Sequence, residues 1–446
     1  MNRQSLWGLL LLTGVGLYLW KSGETKKHTS TRTSGPNVVL ITLDTTRVDA
    51  LGVYGGENET PVLDGLAKEG TVFTHAVSTA PITQPAHLSI LSGNPPHMTG
   101  VVTNGTDIGD RASMLSYALG AGGWVTGAFV SAYPLTQQFG WAQGWDHYDD
   151  QLRNGFLDSS RERPAAQTID RALAWMGLHK DQRFGVWIHL FDPHGPYEAP
   201  GLPIDGATDG EPLALPDYWP DNHKAITDPE WFVDAYKAEV RTVDAAVGRV
   251  VDALNEWGVL DETLIVVTAD HGESLTEHDT LFDHGDHLYD VSLRVPLIFR
   301  WPGNVQADAS LSCLVSNQDV TPTLLAVLDI PDEHERQGRD LSAVLTGAEP
   351  CAGQSVLATT VSAKYADPPP IDHALRTHSH KRVVSAAGEV TCFDLESDPG
   401  ENATGTPCPP DMAPVMVQML AGQAGPIAPR TDTETTEALK ELGYIE

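Results

Sequence analysis

The 446-residue chain is long enough for one large α/β domain and a smaller second one. Its composition is globular, 41% hydrophobic and 20% charged, with no low-complexity tract. A formal net charge of −32 argues against nucleic acid as a partner, because phosphate backbones need Lys and Arg; an anionic small substrate stays open where a cation reverses the local sign.

Arg3 precedes an apolar run from Leu6 to Trp20, with Lys21, Lys26 and Lys27 behind it. The run is shorter than the roughly 20 residues of a spanning helix and reads as a signal h-region or signal anchor. It lacks an A-x-A cleavage site and a lipobox cysteine, which favours a retained anchor followed by a polar linker, together residues 1–35. The expectation is an extracytoplasmic protein, periplasmic or in the cell envelope, joined to the membrane at its N-terminus; nothing specifies an oligomeric state. Cys313, Cys351, Cys392 and Cys408 lack C-x-x-C spacing, so a cysteine zinc site is not expected. Beyond an export segment they can pair, and a Cys392–Cys408 bridge would contribute about 3 kcal/mol; buried thiols are the alternative.

Val38 to Leu43 is a continuous β-branched and apolar run, the mark of a strand buried on both faces of a parallel sheet. It ends in Asp44-Thr45-Thr46-Arg47, and a carboxylate at such a strand end sits where α/β folds place ligands, its plainer use being a helix N-cap. Pro61 to Lys68 is amphipathic, and Val72 to Ala76 is a short strand. Thr83 to Gly93 reads as a helix with Pro85 near its first turn, Leu88 and Leu91 on one face and Gly93 as its stop. A hydroxyl at that position sees unpaired backbone N–H groups and the positive end of a helix dipole, which suits an anion. The periodicity then predicts a helix over 112–119, a strand over 125–130, a helix over 168–178 and a buried strand over 184–190. That strand runs into the polar turn Asp192-Pro193-His194-Gly195-Pro196-Tyr197. Residues 201–228 read as an excursion loop on the substrate rim, and Asp228 to Trp257 as a long helix closed by Gly258. Thr263 to Thr268 is the clearest buried strand and runs into Ala269-Asp270-His271-Gly272-Glu273. His278, His284 and His287 follow, then a strand over 295–300. This alternation predicts a doubly wound, mostly parallel sheet. From about residue 350, short strand-like runs (381–385, 389–393) predict a small antiparallel sheet with a terminal helix.

Two strand ends thus offer Asp44 and the pair Asp270-His271, while Thr83 opens a helix between them. Two carboxylates, an imidazole and a hydroxyl at one end of a sheet suit a divalent cation, since unpaired carboxylates repel and are costly to bury. Threonine is a poor nucleophile at neutral pH, and metal coordination is the means of lowering its pKa. His194 and His284 are then candidates to bind the non-bridging oxygens of a phosphate or sulfate ester, or to protonate the leaving group.

Taken in order, these segments and Leu293-Arg294-Val295-Pro296-Leu297-Ile298 resemble the sulfatases of the alkaline phosphatase superfamily, from about Asn37 to Pro302. Phe393-Asp394-Leu395-Glu396 and the closing 439–444 stretch are similar to the family's small C-terminal subdomain. The resemblance implies a catalytic α/β domain over 36–345 and a C-terminal α+β subdomain over 346–446. It implies metal ligands Asp44, Thr83, Asp270 and His271, and catalytic residues Thr83, His87, His194 and His284. Two departures stand out. The family carries a formylglycine-forming cysteine or serine where this chain has Thr83, which cannot give that aldehyde, and an arginine where it has His87. The second family aspartate is Thr45, and the usual asparagine after Asp270 is His271. A threonine with an Asp-His pair resembles the phosphoryl-transferring branches, which mostly use zinc or manganese where sulfatases use calcium. The expected activity is metal-dependent hydrolysis of sulfate or phosphate esters, of small molecules or glycans. The alternatives are a phosphoethanolamine- or phosphoglycerol-type transferase, or a silent binder of anionic glycans.

Overall fold

The apolar run after residue 36 forms the strand Asn37–Leu43 (β1), with all seven residues buried, and it is the centre of the larger of the two sheets among the described residues. The computed structural model describes residues 35–109, 113–152, 161–198, 202, 209–362 and 370–442. The other strands of this sheet are Thr71–Val77 (β2), Val125–Phe129 (β3), His147–Asp149 (β4), Phe184–Leu190 (β5), Thr263–Ala269 (β6), Arg294–Val295 (β7), Leu297–Arg300 (β8) and Ala309–Ser316 (β9). Their order is β4-β3-β5-β1-β6-β8-β2-β7, with β9 also paired to β2. β1 runs parallel to β5 on one side and to β6 on the other. The register sets Leu43 opposite both Leu190 and Ala269, so Asp44 and Asp270 leave neighbouring strands side by side. The expected doubly wound, mostly parallel sheet is present, covered by helices such as Ala165–His179 and Pro229–Glu256.

Several elements differ from the sequence reading. The strand expected over 295–300 is broken at Pro296, which has no N–H for the ladder, and its second part runs antiparallel to β6. The helix expected from 112 begins at Leu115 within the described residues. The excursion loop lies partly outside them. Its described end is no mere rim, because Trp219 is buried against Tyr197 and Phe232, at 5.2 Å from each ring. No helix among the described residues is long and apolar enough to cross a membrane, and the apolar run over 6–20 lies outside them.

The C-terminal part forms the antiparallel sheet expected of it: Val356–Val361 (β10), Ile371–Arg376 (β11), His380–Val384 (β12) and Val390–Asp394 (β13), in that order. The helix Met412–Met419 packs on it through Met412 and Met416. Lys381 of β12, fully buried, reaches back to Asp290 (2.5 Å), Glu401 (2.7 Å) and the Leu288 carbonyl (2.9 Å). Beyond that helix the chain crosses under residues 97–107. Ala424, Ile427 and Arg430 donate backbone N–H groups to the carbonyls of His97, Gly100 and Gly105. Ala438, Leu439 and Leu442 then enter the core beside the large sheet. All four cysteines are paired, Cys313 with Cys351 and Cys392 with Cys408, at Cα separations of 5.7 and 5.3 Å.

Candidate active site

Asp44, Asp270 and His271 each present a ligand atom such that all three lie within 4.8 Å of one another, and all are fully buried. The hydrogen bonds around them define what each atom can do. Asp270 Oδ1 accepts the backbone N–H of His271 (2.8 Å) and of Thr45 (3.3 Å), while Oδ2 has no hydrogen-bond partner among the described residues. His271 Nδ1 lies 3.0 Å from the Gly272 carbonyl, an acceptor only, which assigns the ring proton to Nδ1. The lone pair of Nε2 therefore faces Asp270 Oδ2 at 3.3 Å. Burial, then the neighbouring His284, pushes the His271 pKa well down, so protonation does not relieve this clash. Burial, then the charge of the neighbouring aspartate, pushes Asp270 well up, and burial with Glu273 does the same to Asp44. Two crowded carboxylates and an imidazole lone pair, with Asp44 Oδ1 also unpartnered, fit a divalent cation.

The strand ends hold these groups under constraint. Thr45, a β-branched residue, has a φ of +48°, rare outside glycine and characteristic of functional sites. It is pinned by its N–H to Asp270 and by the Tyr236 hydroxyl, which donates to its carbonyl at 2.8 Å. Gly272 has no alternative, since a Cβ there would meet the Val291 carbonyl oxygen at 2.2 Å.

Thr83 heads the helix Thr83–Ser92, fully buried. The N-cap position belongs to Ile82, with no side-chain cap bond, so Thr83 is the first helical residue and not the cap. His87, one turn on, ties it to the cluster: its Nδ1 lies 2.9 Å from the Thr83 carbonyl and 3.4 Å from Asp270 Oδ2. Its Nε2 meets Thr42 Oγ1 at 3.0 Å, and that oxygen also accepts from Trp187 Nε1 at 3.0 Å. Thr42 thus has its own proton left for Nε2, which puts the imidazole proton on Nδ1. Both nitrogens of His87 are engaged within the protein.

His194 and His284 lie on the other flank. The His284 ring packs 4.4 Å from His271 and 5.0 Å from His194. His194 is stacked on Phe191 at 4.3 Å, and burial with the nearby His284 pushes its pKa down to about 3. The residues named from sequence as metal ligands and catalytic groups therefore gather at one end of the sheet.

Four contributors escaped the sequence reading. His189, inside β5, accepts the Ser131 N–H at Nδ1 (3.3 Å), so its proton lies on Nε2 and goes to Asp44 Oδ2 at 3.0 Å. Asn317 donates to Ser78 Oγ (3.0 Å) and the Asp270 carbonyl (3.2 Å). Asn104 accepts the Gln84 N–H at 2.8 Å, beside Thr83, and its buried Nδ2 has no hydrogen-bond partner among the described residues. Glu273 takes the Tyr197 hydroxyl on one oxygen and His284 Nδ1 on the other, at 3.0 Å; burial pushes its pKa up to about 7.

The Sulfatase family profile matches residues 36–330, and a second profile, N-sulphoglucosamine sulphohydrolase C-terminal, matches residues 276–420. An ulvan-active sulfatase of Formosa agariphila is 26% identical over 391 residues, spanning 82% of this chain and 76% of that protein. The fold is similar to a 2-O GAG sulfatase (TM-score 0.69, 20% identity, 87% of this chain and 91% of that one). It is equally similar to a phosphonate monoester hydrolase of Agrobacterium radiobacter (TM-score 0.69, 20% identity, 86% and 94%). The profile spans well over half of the chain and takes in both strand ends and Thr83: this chain belongs to the sulfatase family, the ester hydrolases of the alkaline phosphatase superfamily.

Proposed function

We propose that the chain hydrolyses sulfate or phosphate-type esters with Thr83 as nucleophile, and that phosphate and phosphonate esters are its better substrates. The observation that carries the reading is the buried, mutually close set Asp44, Asp270 and His271, joined to the head of the Thr83 helix through His87. Asp44 Oδ1, Asp270 Oδ2, His271 Nε2 and the Thr83 hydroxyl would hold a divalent cation, and an imidazole in the set favours zinc or manganese over calcium. When bound, such a cation lowers the pKa of a ligated hydroxyl and neutralises charge on ester oxygens.

The chain's own residues do the rest. The Thr83 oxygen attacks the phosphorus or sulfur, forming an ester to Thr83 as the bond to the leaving oxygen breaks; water then hydrolyses that ester and restores the hydroxyl. The first helical N–H groups and the Asn104 amide favour the anionic group at this position. His284 lines the flank from which a leaving oxygen takes its proton, and the neutral His194, its Nδ1 facing the Gly195 carbonyl, packs beside it. His87, with both nitrogens held, orients Thr83 and does not transfer protons. A threonine sulfate has no aldehyde-hydrate route to break down, whereas a threonine phosphate is open to attack at phosphorus, which supports the preference among esters. By analogy with the relatives, the natural substrate is the anionic ester of a glycan or small molecule.

The test is turnover of 4-nitrophenyl phosphate, 4-nitrophenyl phenylphosphonate and 4-nitrophenyl sulfate by full-length protein supplied with Zn, Mn or Ca. Turnover of the phosphorus esters above sulfate is expected with zinc or manganese. No turnover of any ester with any of the metals would reject the reading. The two disulfides support an oxidising, extracytoplasmic location with attachment through the N-terminal run, which fractionation of cells expressing the full chain would check.

A further inference from the structure

We propose that Glu273 is a positioning residue: clamped by Tyr197, it holds His284 in one tautomer and one orientation against the catalytic centre. The inference rests on the reading of His284 as a substrate-facing group. His284 Nδ1 lies 3.0 Å from Glu273 Oε1, and the other carboxylate oxygen accepts the Tyr197 hydroxyl. A carboxylate oxygen accepts, so the imidazole proton sits on Nδ1 and the lone pair on Nε2. The ring lies between two others of the site, His271 at 4.4 Å and His194 at 5.0 Å.

The clamp is built to stay still. Glu273 is fully buried and Tyr197 is 1% exposed. The Tyr197 ring is boxed by Trp219 (5.2 Å), Tyr236 (5.6 Å) and Phe282 (6.3 Å), so its hydroxyl cannot swing from the carboxylate. The backbone of Glu273 is tied by Arg47 Nη1 to its carbonyl at 3.0 Å, and Gly272 before it is wedged against Val291. Filling the core does not require a carboxylate. An apolar residue of similar volume would fill the space without the cost of burying charge. What the carboxylate adds is a fixed acceptor for one imidazole nitrogen, the same logic by which a third group orients a histidine in a catalytic triad.

The experiment uses full-length protein with its copurifying metal and 4-nitrophenyl phosphate as probe, comparing Glu273→Gln, Tyr197→Phe, His284→Ala and the Glu273→Gln/His284→Ala double variant. Glutamine and phenylalanine preserve shape, so folding is retained where alanine at 273 would leave a hole. For Glu273→Gln the expected result is a kcat lower by about 10–100-fold, a KM within about threefold, and unchanged metal content by elemental analysis. Tyr197→Phe should lower kcat by a smaller factor. The double variant should lose no more than His284→Ala alone, because the two residues act as one unit. The ¹⁵N spectrum of the wild type should show His284 protonated at Nδ1. A Glu273→Gln kcat within twofold of wild type, a loss that adds to that of His284→Ala, or a fall in metal content would each overturn the proposal. A silent His284→Ala would instead remove the reading of His284 on which it rests, while a costly His284→Ala beside a silent Glu273→Gln would remove Glu273 alone.

Discussion

His189 Nε2 lies 3.0 Å from Asp44 Oδ2, a bond between neighbouring strands in which His189 sits in register with Thr42. The bond occupies one carboxylate oxygen and leaves the other, Oδ1, for a cation. Partners behind metal ligands typically contribute 10–100-fold in metal affinity. His189→Phe, close in volume but without the donor, should weaken metal binding by about that factor in a chelator competition. The wild type should lose activity in EDTA and lose several degrees of Tm with it, since a cation that binds only the folded state stabilises by mass action. An EDTA-treated protein with unchanged rate and Tm would contradict the assignment of this cluster.

Thr83→Ala should lower kcat by several orders of magnitude while the metal content remains, because Asp44, Asp270 and His271 still bind. Thr83→Ser keeps the attacking hydroxyl and should keep appreciable activity. Since Ile82 and not Thr83 occupies the N-cap, the alanine variant should lose little stability. Rates and Tm values of the two variants decide it: an alanine variant within about tenfold of wild type would exclude Thr83 as nucleophile.

A cavity of about 270 Å³ beside His194 is walled by Glu162, Asp192, Glu198 and Glu239. Burial, then the charges of Asp192 and its acidic neighbours, raises the Glu239 carboxyl from 4.5 to about 8. An acid whose folded pKa is raised holds its proton more tightly when folded. Its contribution is therefore intact below about pH 4.5 and is lost as the pH rises towards 8. Glu239→Gln, with no proton to lose, should leave Tm unchanged near pH 5 and raise it by ~2 °C at pH 8. Equal Tm shifts at both pH values in calorimetry would contradict this sign.

Lys381 is fully buried between Asp290 and Glu401, and Arg376 supports Asp290 at 3.0 Å. Lys381→Met keeps the volume but leaves buried Glu401 without its cation and Asp290 with Arg376 alone, which should cost about 3–5 kcal/mol in denaturant unfolding. Adding Glu401→Gln in the same chain should recover much of that loss, because Asp290 keeps Arg376.

The strands and strand ends that carry Asp44 and Asp270 were legible because a sheet buried on both faces demands unbroken apolar runs, and polar residues that interrupt them stand out. His189 was hidden by the same rule, since a single polar residue within such a run reads as a tolerated core histidine until its partner is seen. β9 was missed because three serines interrupt its apolar residues, with burial partial at first and then complete, and its place comes from β2 alongside it. Asn104, followed by Gly105, reads as a turn, and only the fold brings it against the head of the Thr83 helix. Glu273 sits two residues from a metal-type motif, yet Tyr197 and His284 are far off in sequence, and no local pattern encodes their meeting.

The crossing of the C-terminal segment beneath residues 97–107 has a consequence for biosynthesis. Arg430 joins Asp107 across 323 residues of chain, and its N–H secures the carbonyl of Gly105, next to Asn104. A ribosome has thus released both strand ends and the Thr83 helix long before it makes the segment that braces the Asn104 loop. Nascent chains and prematurely terminated products hold every acidic and imidazole group of the site but lack this brace. The Asn104 loop is braced only once the chain has been made past Arg430.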